Sequence, residues 1–454
     1  METYTGIPDE LRLAVLERIK PDEAERTKLL EIQNELAGEV RAGAEKLGVS
    51  GILVKMVGSA ARGTWLSGTH DIDVFISFPE ETSRMDLEVQ GMAIAREVAK
   101  HAEYAEDRHA EHPYLNVVFK GFDVDLVPCF RVASACCIKS AVDRTPFHND
   151  FVKARINGCE DDVLLLKQFM RGSGVYGSEL RTQGFSGYLT ELLIIHYGSF
   201  ENAVLAACSW KPGEKIDVMQ HGEIKHEEPL IMVDPTDPRR NVAAALSLDK
   251  FCMFIDSCRE FLKGPEIRFF FPPLLLPLED SEILERLESR KSTQLAIIFK
   301  TPDVVEDVLY PQLYKMEQST AALLKEYDFS ILKTGVWSGK DETVILLELI
   351  SGTLPRVKKH IGPPVWVKMH AEKFKEKYEG AENVFRGYIE NGKYVFEILR
   401  KYPLAKGLLE NQLMHCSVGK HVCHSVNESF EILENAEICR LKDSDFRVFL
   451  RKWL

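Results

Sequence analysis

No run of about 18 or more apolar residues occurs in the sequence, so no membrane-spanning helix is expected. Met1-Glu2-Thr3-Tyr4 lack the basic-then-apolar plan of a secretory signal, which leaves the cytoplasm as the default compartment. The ten cysteines form no framework of spacings, and in a cytoplasmic chain they read as free thiols. The densest group, His415, Cys416, His421, Cys423 and His424, matches no standard zinc knuckle or finger, and a metal ion there stays an open alternative. Internal repeats and low-complexity tracts are absent. An excess of positive charge is also missing: 57 basic against 70 acidic residues leave a net charge of −13, which argues against non-specific nucleic-acid binding. The distribution softens that reading. Residues 356–406 hold 12 Lys/Arg and 6 Asp/Glu, a basic stretch on an otherwise acidic chain.

At 454 residues the chain exceeds one core, and roughly three or four domains are expected. Hydrophobic content of 45% and charged content of 28% are those of an ordinary globular protein. Leu29, Ile32, Leu36 and Val40 recur at helical spacing within 21–47, between a Pro-Asp-Glu start and the stop at Gly48. Short apolar strands are predicted at 52–57, 72–78, 114–119 and 122–128, the last two joined by the turn Lys120-Gly121, with a helix over 86–102. From about Cys159 the pattern becomes helical: 161–170, 189–197, a turn-rich loop at 234–241 leading into a helix, and a further helix at 247–262. Phe271-Pro272-Pro273 reads as a linker. Strands follow at 295–300, 331–337 and 343–350, with a long helix at 304–327 interrupted near Pro311. The basic stretch interleaves Trp366, Phe374, Tyr378, Phe385, Tyr388 and Tyr394, and 443–454 closes the chain as a short amphipathic helix.

The chemistry concentrates in one place. Val57-Gly58-Ser59-Ala60-Ala61-Arg62-Gly63-Thr64 reads as a strand end, a Gly-Ser turn and a helix start, and Asp71-Ile72-Asp73 opens the next strand. Residues two apart on a strand share a face, so Asp71 and Asp73 point together. Two adjacent carboxylates in apolar strands repel and are costly without a cation. Asp123 and Asp125 offer two same-face candidates for a third acid. Three such groups suit two metal ions about 3.5–4 Å apart. Gly58 lets backbone N–H groups approach phosphate oxygens, while Ser59 and Arg62 donate to them. No Gly-Lys-Ser/Thr follows the glycine, which excludes a Walker-type phosphate loop. Lys167 sits among apolar helical residues and needs either an anion or a route to solvent.

Residues 58–66 and 71–74 resemble the signature of the DNA polymerase beta-like nucleotidyltransferases. The stretches 110–114, 123–129, 143–148, 184–189 and 240–244 narrow the resemblance to the archaeal-type, class I, CCA-adding enzymes, across essentially the whole chain. That family adds C, C and A to the 3′ end of tRNA without a template: the 3′-hydroxyl attacks the α-phosphate of CTP or ATP, and pyrophosphate leaves. The resemblance implies an α/β multidomain (α+β) fold: a nucleotidyltransferase head with a mixed sheet over 1–155, a helical neck over 156–272, an α/β body over 273–355 rejoined by 425–454, and a basic tail over 356–424 that meets the outer part of tRNA. It implies Asp71, Asp73 and Asp125 as catalytic metal ligands for Mg²⁺. Asp125 is preferred over Asp123 because it immediately precedes the Leu-Val-Pro-Cys run. Ser59, Arg62, Thr145, His148, Lys167 and Tyr176 take the nucleotide-binding positions. Arg240 is the candidate reader of the base, with Arg239 the close alternative. Both face the same competing role, a loop arginine paired with Asp234 or Asp237. The implied partners are tRNA, CTP and ATP, with no membrane, and the family allows a homodimer. A poly(A)-polymerase-like or oligoadenylate-synthetase-like enzyme is the alternative reading within nucleotidyl transfer, and a catalytically dead RNA-binding scaffold the alternative outside it.

Overall fold

The computed structural model describes residues 6–109, 113–222 and 226–454. Ala110-Glu111-His112, part of one motif of the resemblance, and the Met1–Tyr4 stretch lie outside the described residues. The chain divides into two compact units, Met1–Pro273 and Leu274–Leu454. Among the described residues no helix is long and apolar enough to cross a membrane.

The first unit is built on a five-stranded mixed sheet: β1 (Leu53–Val57), β2 (Asp71–Pro79), β3 (Tyr104–His109), β4 (Pro113–Phe119) and β5 (Phe122–Arg131), in the order β1-β2-β5-β4-β3. Only β2 and β5 run parallel. One face of the sheet carries Ile72, Val74, Ile76 and Phe78 of β2 and Val124 and Leu126 of β5. It is covered by the helices Glu23–Lys46 and Arg84–Ala99, which bury Leu29, Ile32, Leu36, Val40, Ile94 and Val98. The first of these helices is started by Asp22, which accepts from the Glu25 backbone N–H in a reciprocal capping box. The strand β3, Tyr-Ala-Glu-Asp-Arg-His, has no apolar alternation and is not expected from the sequence. It forms because it is an edge strand, held by ladder bonds to β4, where charged side chains discourage further pairing.

A second core belongs to the helices Glu160–Gly172, Gly187–Tyr197, Phe200–Ala207 and Leu248–Lys263. There Phe169, Phe200, Phe254, Phe261 and Phe270 pack edge-on and tilted around one another. The N-terminal helix Asp9–Ile19 joins this helical core through Val15, Leu16 and Ile19, tied by Arg12 to Asp162 at 3.0 Å, although its sequence position precedes the sheet. The loop 234–241 leads through turns directly into Leu248–Lys263, without the intervening helix expected there.

In the second unit an antiparallel sheet takes the order Phe430–Glu434, Thr293–Lys300, Glu342–Leu349, Ile331–Ser338. Its residues alternate strictly between two cores. Leu295, Ile297, Phe299, Ile345 and Leu347 face the helices Glu306–Glu326, Ala405–Gln412 and Lys420–Glu428. Ala296, Ile298, Val344 and Leu346 face Asp280–Arg290 and Ser444–Trp453. The helix Glu306–Glu326 runs through Pro311 without the expected interruption, held by the burial of Leu309, Leu313 and Met316 on the sheet. Residues 405–424, expected to belong with the basic tail, pack on this sheet together with 425–428. The basic stretch proper is a separate three-stranded sheet, Val357–Pro364, Lys393–Leu399 and Val384–Glu390, with the helix Lys368–Tyr378 on one face. Phe374 and Tyr378 pack inward on Phe396, whereas Trp366 and Phe385 are exposed.

The parallel seam is also tightly packed. A Cβ added at Gly91 would lie 2.5 and 2.6 Å from Cγ and Cβ of Pro128 on β5, a ring that cannot swing away. Gly91→Ala is expected to cost about 1–3 kcal/mol of stability by overpacking. Denaturant unfolding checks this, and an unchanged midpoint would show that the helix can lift off the sheet.

Candidate active site

The register of β2 against β5 assembles the site. Asp71 pairs with Asp123 and Asp73 with Asp125, so four carboxylates sit on one face of two adjacent strands. This is the face opposite the two covering helices. Asn116, on β4 opposite Asp125, is buried and gives its amide N–H groups to both acids of β5, to Asp125 Oδ1 at 2.8 Å and to Asp123 Oδ1. Burial first, then the neighbouring Asp125, raises the Asp73 carboxyl to about 6. Asp71 is raised by desolvation and by Asp123, with Arg171 acting against both. Asp125 is raised by desolvation, opposed by the Asn116 hydrogen bond and by Arg108. Asp71, Asp73 and Asp125 thus resist ionising beside their neighbours, as expected of carboxylates that meet a cation.

Among the described residues no three His, Cys, Asp or Glu side chains form a closed metal cage. The donor set nevertheless fits a hard divalent ion of the Mg²⁺ type, which commonly takes one or two carboxylates and completes its shell with substrate phosphate and water. His415, Cys416, His421 and Cys423 likewise form no metal-holding arrangement among the described residues.

The Gly-Ser turn abuts the acids. Gly58 has φ +77°, a left-handed conformation, and a Cβ there would lie 2.0 Å from Asp73 Oδ2. Ser59 follows in the short helix Gly58–Arg62, which packs against the helix Thr145–Lys153 that Thr145 begins. Arg62 points away from solvent. Its Nε donates to Glu191 Oε1 at 2.9 Å, its Nη2 lies 2.9 Å from Glu191 Oε2, and its Nη1 reaches Asn149 Oδ1 at 3.4 Å. Lys167 is buried and donates to the Thr64 carbonyl at 2.7 Å; desolvation lowers its ammonium to about 8. Tyr176 is pushed up to about 12 by burial, and Arg171 lies over its ring. A Cβ at Gly187 would lie 3.1 Å from the Tyr176 hydroxyl and 3.8 Å from Lys167 Nζ, so both groups converge on the start of one helix.

A third cluster adjoins these. His148 stacks on Tyr188, with centroids 4.1 Å apart, and its Nε2 lies 2.8 Å from Asp234 Oδ2. Arg240 reaches the same oxygen through Nη1 at 3.0 Å. Burial would raise Asp234, but His148 and two hydrogen bonds from Thr236 outweigh it and hold the acid well below the usual carboxylate range. Arg239 instead pairs with Asp237 at 3.2 Å, with 73% of its side chain exposed. Both arginines therefore have the acidic loop partners anticipated for them, but only Arg240 belongs to the His148–Tyr188 cluster. Glu191, Asn116, Asn149 and Arg171 are site groups that the sequence does not single out; Asp234 enters there only as a partner for the loop arginines, and Tyr188 only within the 184–189 stretch. Glu191 lies inside a helical apolar run, and a carboxylate placed there is the one available signal.

A Gly-Ser turn opening on the carboxylates of adjacent strands, backed by a buried arginine and lysine, defines a nucleotidyltransferase. Residues 39–148 match the family model for the nucleotidyltransferase domain, 161–271 that for the second domain of tRNA nucleotidyltransferase, and 290–435 that for the C-terminal domain of the CCA-adding enzyme. The chain is 79% identical to the CCA-adding enzyme of Methanosarcina barkeri, with all of both chains covered. It is 39% identical to that of Methanoregula boonei over 94% of this chain and 92% of the relative, and 40% identical to that of Halobacterium salinarum over 90% of each. The chain belongs to the CCA-adding enzyme family and is a tRNA nucleotidyltransferase.

The acids and the turn make two outcomes testable. Gly58→Ala should abolish nucleotide incorporation, because the new methyl displaces the Asp73 carboxylate; activity within about tenfold of wild type would refute the contact. Asp73→Asn should also abolish it, but with the opposite effect on stability. The folded chain holds the Asp73 proton more tightly than the unfolded chain, so its contribution is full below about pH 4 and is lost as pH rises through about 6. The metal-free variant, which cannot ionise there, should melt at or above wild type near pH 7.5 and lose less stability between about pH 4.5 and 7.5. Equal pH dependence in both proteins would overturn this.

Proposed function

We propose that the enzyme builds the 3′-terminal CCA of tRNA from CTP and ATP at the carboxylates of β2 and β5, with Mg²⁺ as the metal. The observation that carries this reading is the pairing of Asp73 with Asp125 and Asp71 with Asp123 on one sheet face, beside a turn whose glycine leaves no room for a side chain. Asp71, Asp73 and Asp125 hold the metal, and Asn116 restrains Asp125. Bound divalent ions supply activation of the attacking 3′-hydroxyl and stabilisation of the charge on departing pyrophosphate. Ser59 and the backbone after Gly58 donate to the triphosphate. Arg62, Lys167 and Tyr176 line it from the buried side, the two cations offsetting its charge in a site of low dielectric. Thr145 and His148 approach the sugar and base. Arg240, oriented by Asp234, donates to acceptors shared in position by cytosine and adenine, a pattern that guanine and uracil do not present. The basic sheet of 357–399, with Trp366 and Phe385 exposed, meets the outer part of the tRNA through its backbone and shape.

We place the reaction in the cytoplasm, consistent with the ten free cysteines. A homodimer is the assembly the family allows, and sedimentation velocity of the purified chain decides it.

Incubation with tRNAs lacking A, CA or CCA and each nucleotide in turn tests the reaction. Addition should stop after CCA and require CTP before ATP. Unlimited A addition, or no use of CTP, would favour the polymerase-like alternative. Asp71→Ala and Asp125→Ala should lose incorporation with tRNA affinity retained. Reversing several charges among Lys358, Lys359, Lys373 and Lys377 should weaken tRNA binding and flatten its dependence on salt, by roughly 0.7–0.9 in the log–log slope for each phosphate no longer neutralised. Unaltered affinity and slope would remove the tail from the interface.

A further inference from the structure

Glu191 is fully buried, in the second turn of the helix Gly187–Tyr197. Its Oε1 accepts from Arg62 Nε at 2.9 Å and from the Thr64 hydroxyl, while its Oε2 lies 2.9 Å from Arg62 Nη2 without a well-aligned hydrogen bond. The backbone carbonyl of that same Thr64 receives Lys167. One carboxylate from the helical core thus organises both cations behind the Gly-Ser turn, directly for Arg62 and through Thr64 for Lys167. Its own negative charge faces Arg62 and Lys167. Its partners are the residues on the phosphate side, not the acids of β2 and β5.

We propose that Glu191 is a positioning residue for the triphosphate: it pre-orients Arg62 and Thr64, and through Thr64 aligns Lys167, so that the cradle for the nucleotide's phosphates exists before the nucleotide arrives. The proposal rests on the reading of Arg62 and Lys167 as triphosphate ligands. Glu191 engages Nε and Nη2 of Arg62 and Asn149 takes one N–H of Nη1, which leaves one N–H on each terminal nitrogen for a phosphate. The effect is therefore on nucleotide binding and is the same for CTP and ATP, since the phosphates do not distinguish them.

Lys167 provides a second signature. The groups facing it are Glu191, Arg62, Arg171, the Thr64 carbonyl and the Tyr176 hydroxyl. Of these only Glu191 is a carboxylic acid, and it favours the ammonium against desolvation and the two arginines. Removing the Glu191 charge must shift loss of the Lys167 proton to lower pH, and with it the alkaline limb of nucleotide use.

The test is steady-state kinetics of the full-length enzyme with tRNA lacking A or CA, on Glu191→Gln, Arg62→Ala, Lys167→Ala and the Glu191→Gln/Arg62→Ala double variant. Glu191→Gln should raise KM for CTP and ATP alike by about tenfold or more, the scale of a disrupted buried charged hydrogen bond. KM for tRNA should not move. The alkaline limb of kcat/KM for nucleotide should shift to lower pH, and the penalty should shrink in the Arg62→Ala background. Unchanged nucleotide KM and pH profile in a folded Glu191→Gln protein, with Arg62→Ala and Lys167→Ala raising KM, overturn the proposal and leave the triphosphate reading intact. If Arg62→Ala and Lys167→Ala themselves leave nucleotide KM unchanged, the triphosphate reading fails and the proposal falls with it. Should Glu191→Gln fail to fold, Thr64→Val decides: it removes one bond to Glu191 at constant shape, and a nucleotide KM equal to wild type overturns the proposal.

Discussion

Carboxylates that share one face of adjacent strands cannot all ionise in a partly buried site unless positive charge reaches them. Asp71 and Asp73 on β2, and Asp123 and Asp125 on β5, are in this position because the two strands run parallel in matched register. The surroundings are arranged around that constraint. Asn116 donates to both acids of β5, and the charges of Arg171, Arg108 and Arg62 act on the cluster as well. Gly58 is bare because Asp73 occupies the space of a side chain. The cluster is a stability cost to the metal-free chain, of a kind common at active sites.

The phosphate side obeys the opposite logic. Arg62 and Lys167 are cations withdrawn from water, and each is satisfied by the protein before any ligand is present. Burial holds Lys167 near 8, where the ammonium survives at neutral pH but is weakly enough solvated to favour an anion. Buried carboxylates thus stand beside buried cations, with the Gly-Ser turn between them. A nucleotide triphosphate with its metal ion complements both at once. The cluster of His148, Tyr188, Asp234 and Arg240 continues the same principle, with a buried acid holding both the imidazole and the arginine.

Much of the sheet and the acids was legible in sequence because the relevant information is local. Two-residue alternation puts Asp71 with Asp73, and the apolar neighbours Ile72, Val74 and Phe75 make their strand identifiable. The helix 23–46 carries its own cap and stripe. Local signals failed where an element's stability comes from its neighbours. The charged strand 104–109 exists through its ladder with β4, and the helix through Pro311 through packing of Leu309, Leu313 and Met316. The helices at 405–412 and 420–428 join the body sheet rather than the basic one because Leu408, Leu409, Val422 and Val426 bury against Leu295 and Ile297, a fact that charge counting could not supply.

By itself the sequence determined the reaction's chemical type: a Gly-Ser turn, paired acids on a strand and a third acid on another are chemistry written in adjacent residues. It also determined the family, through motifs spread along the whole length. Only the tertiary structure decided which groups complete the site. Arg62 meets Glu191 across 129 residues of chain, and His148 meets Asp234 across 86. Such contacts depend on how the sheet and the helical core pack together, and no spacing within either segment encodes them. The partners of Arg239 and Arg240 have the same character: the two are neighbours in sequence, yet the turns of the loop send one to Asp237 near solvent and the other to Asp234 beside His148.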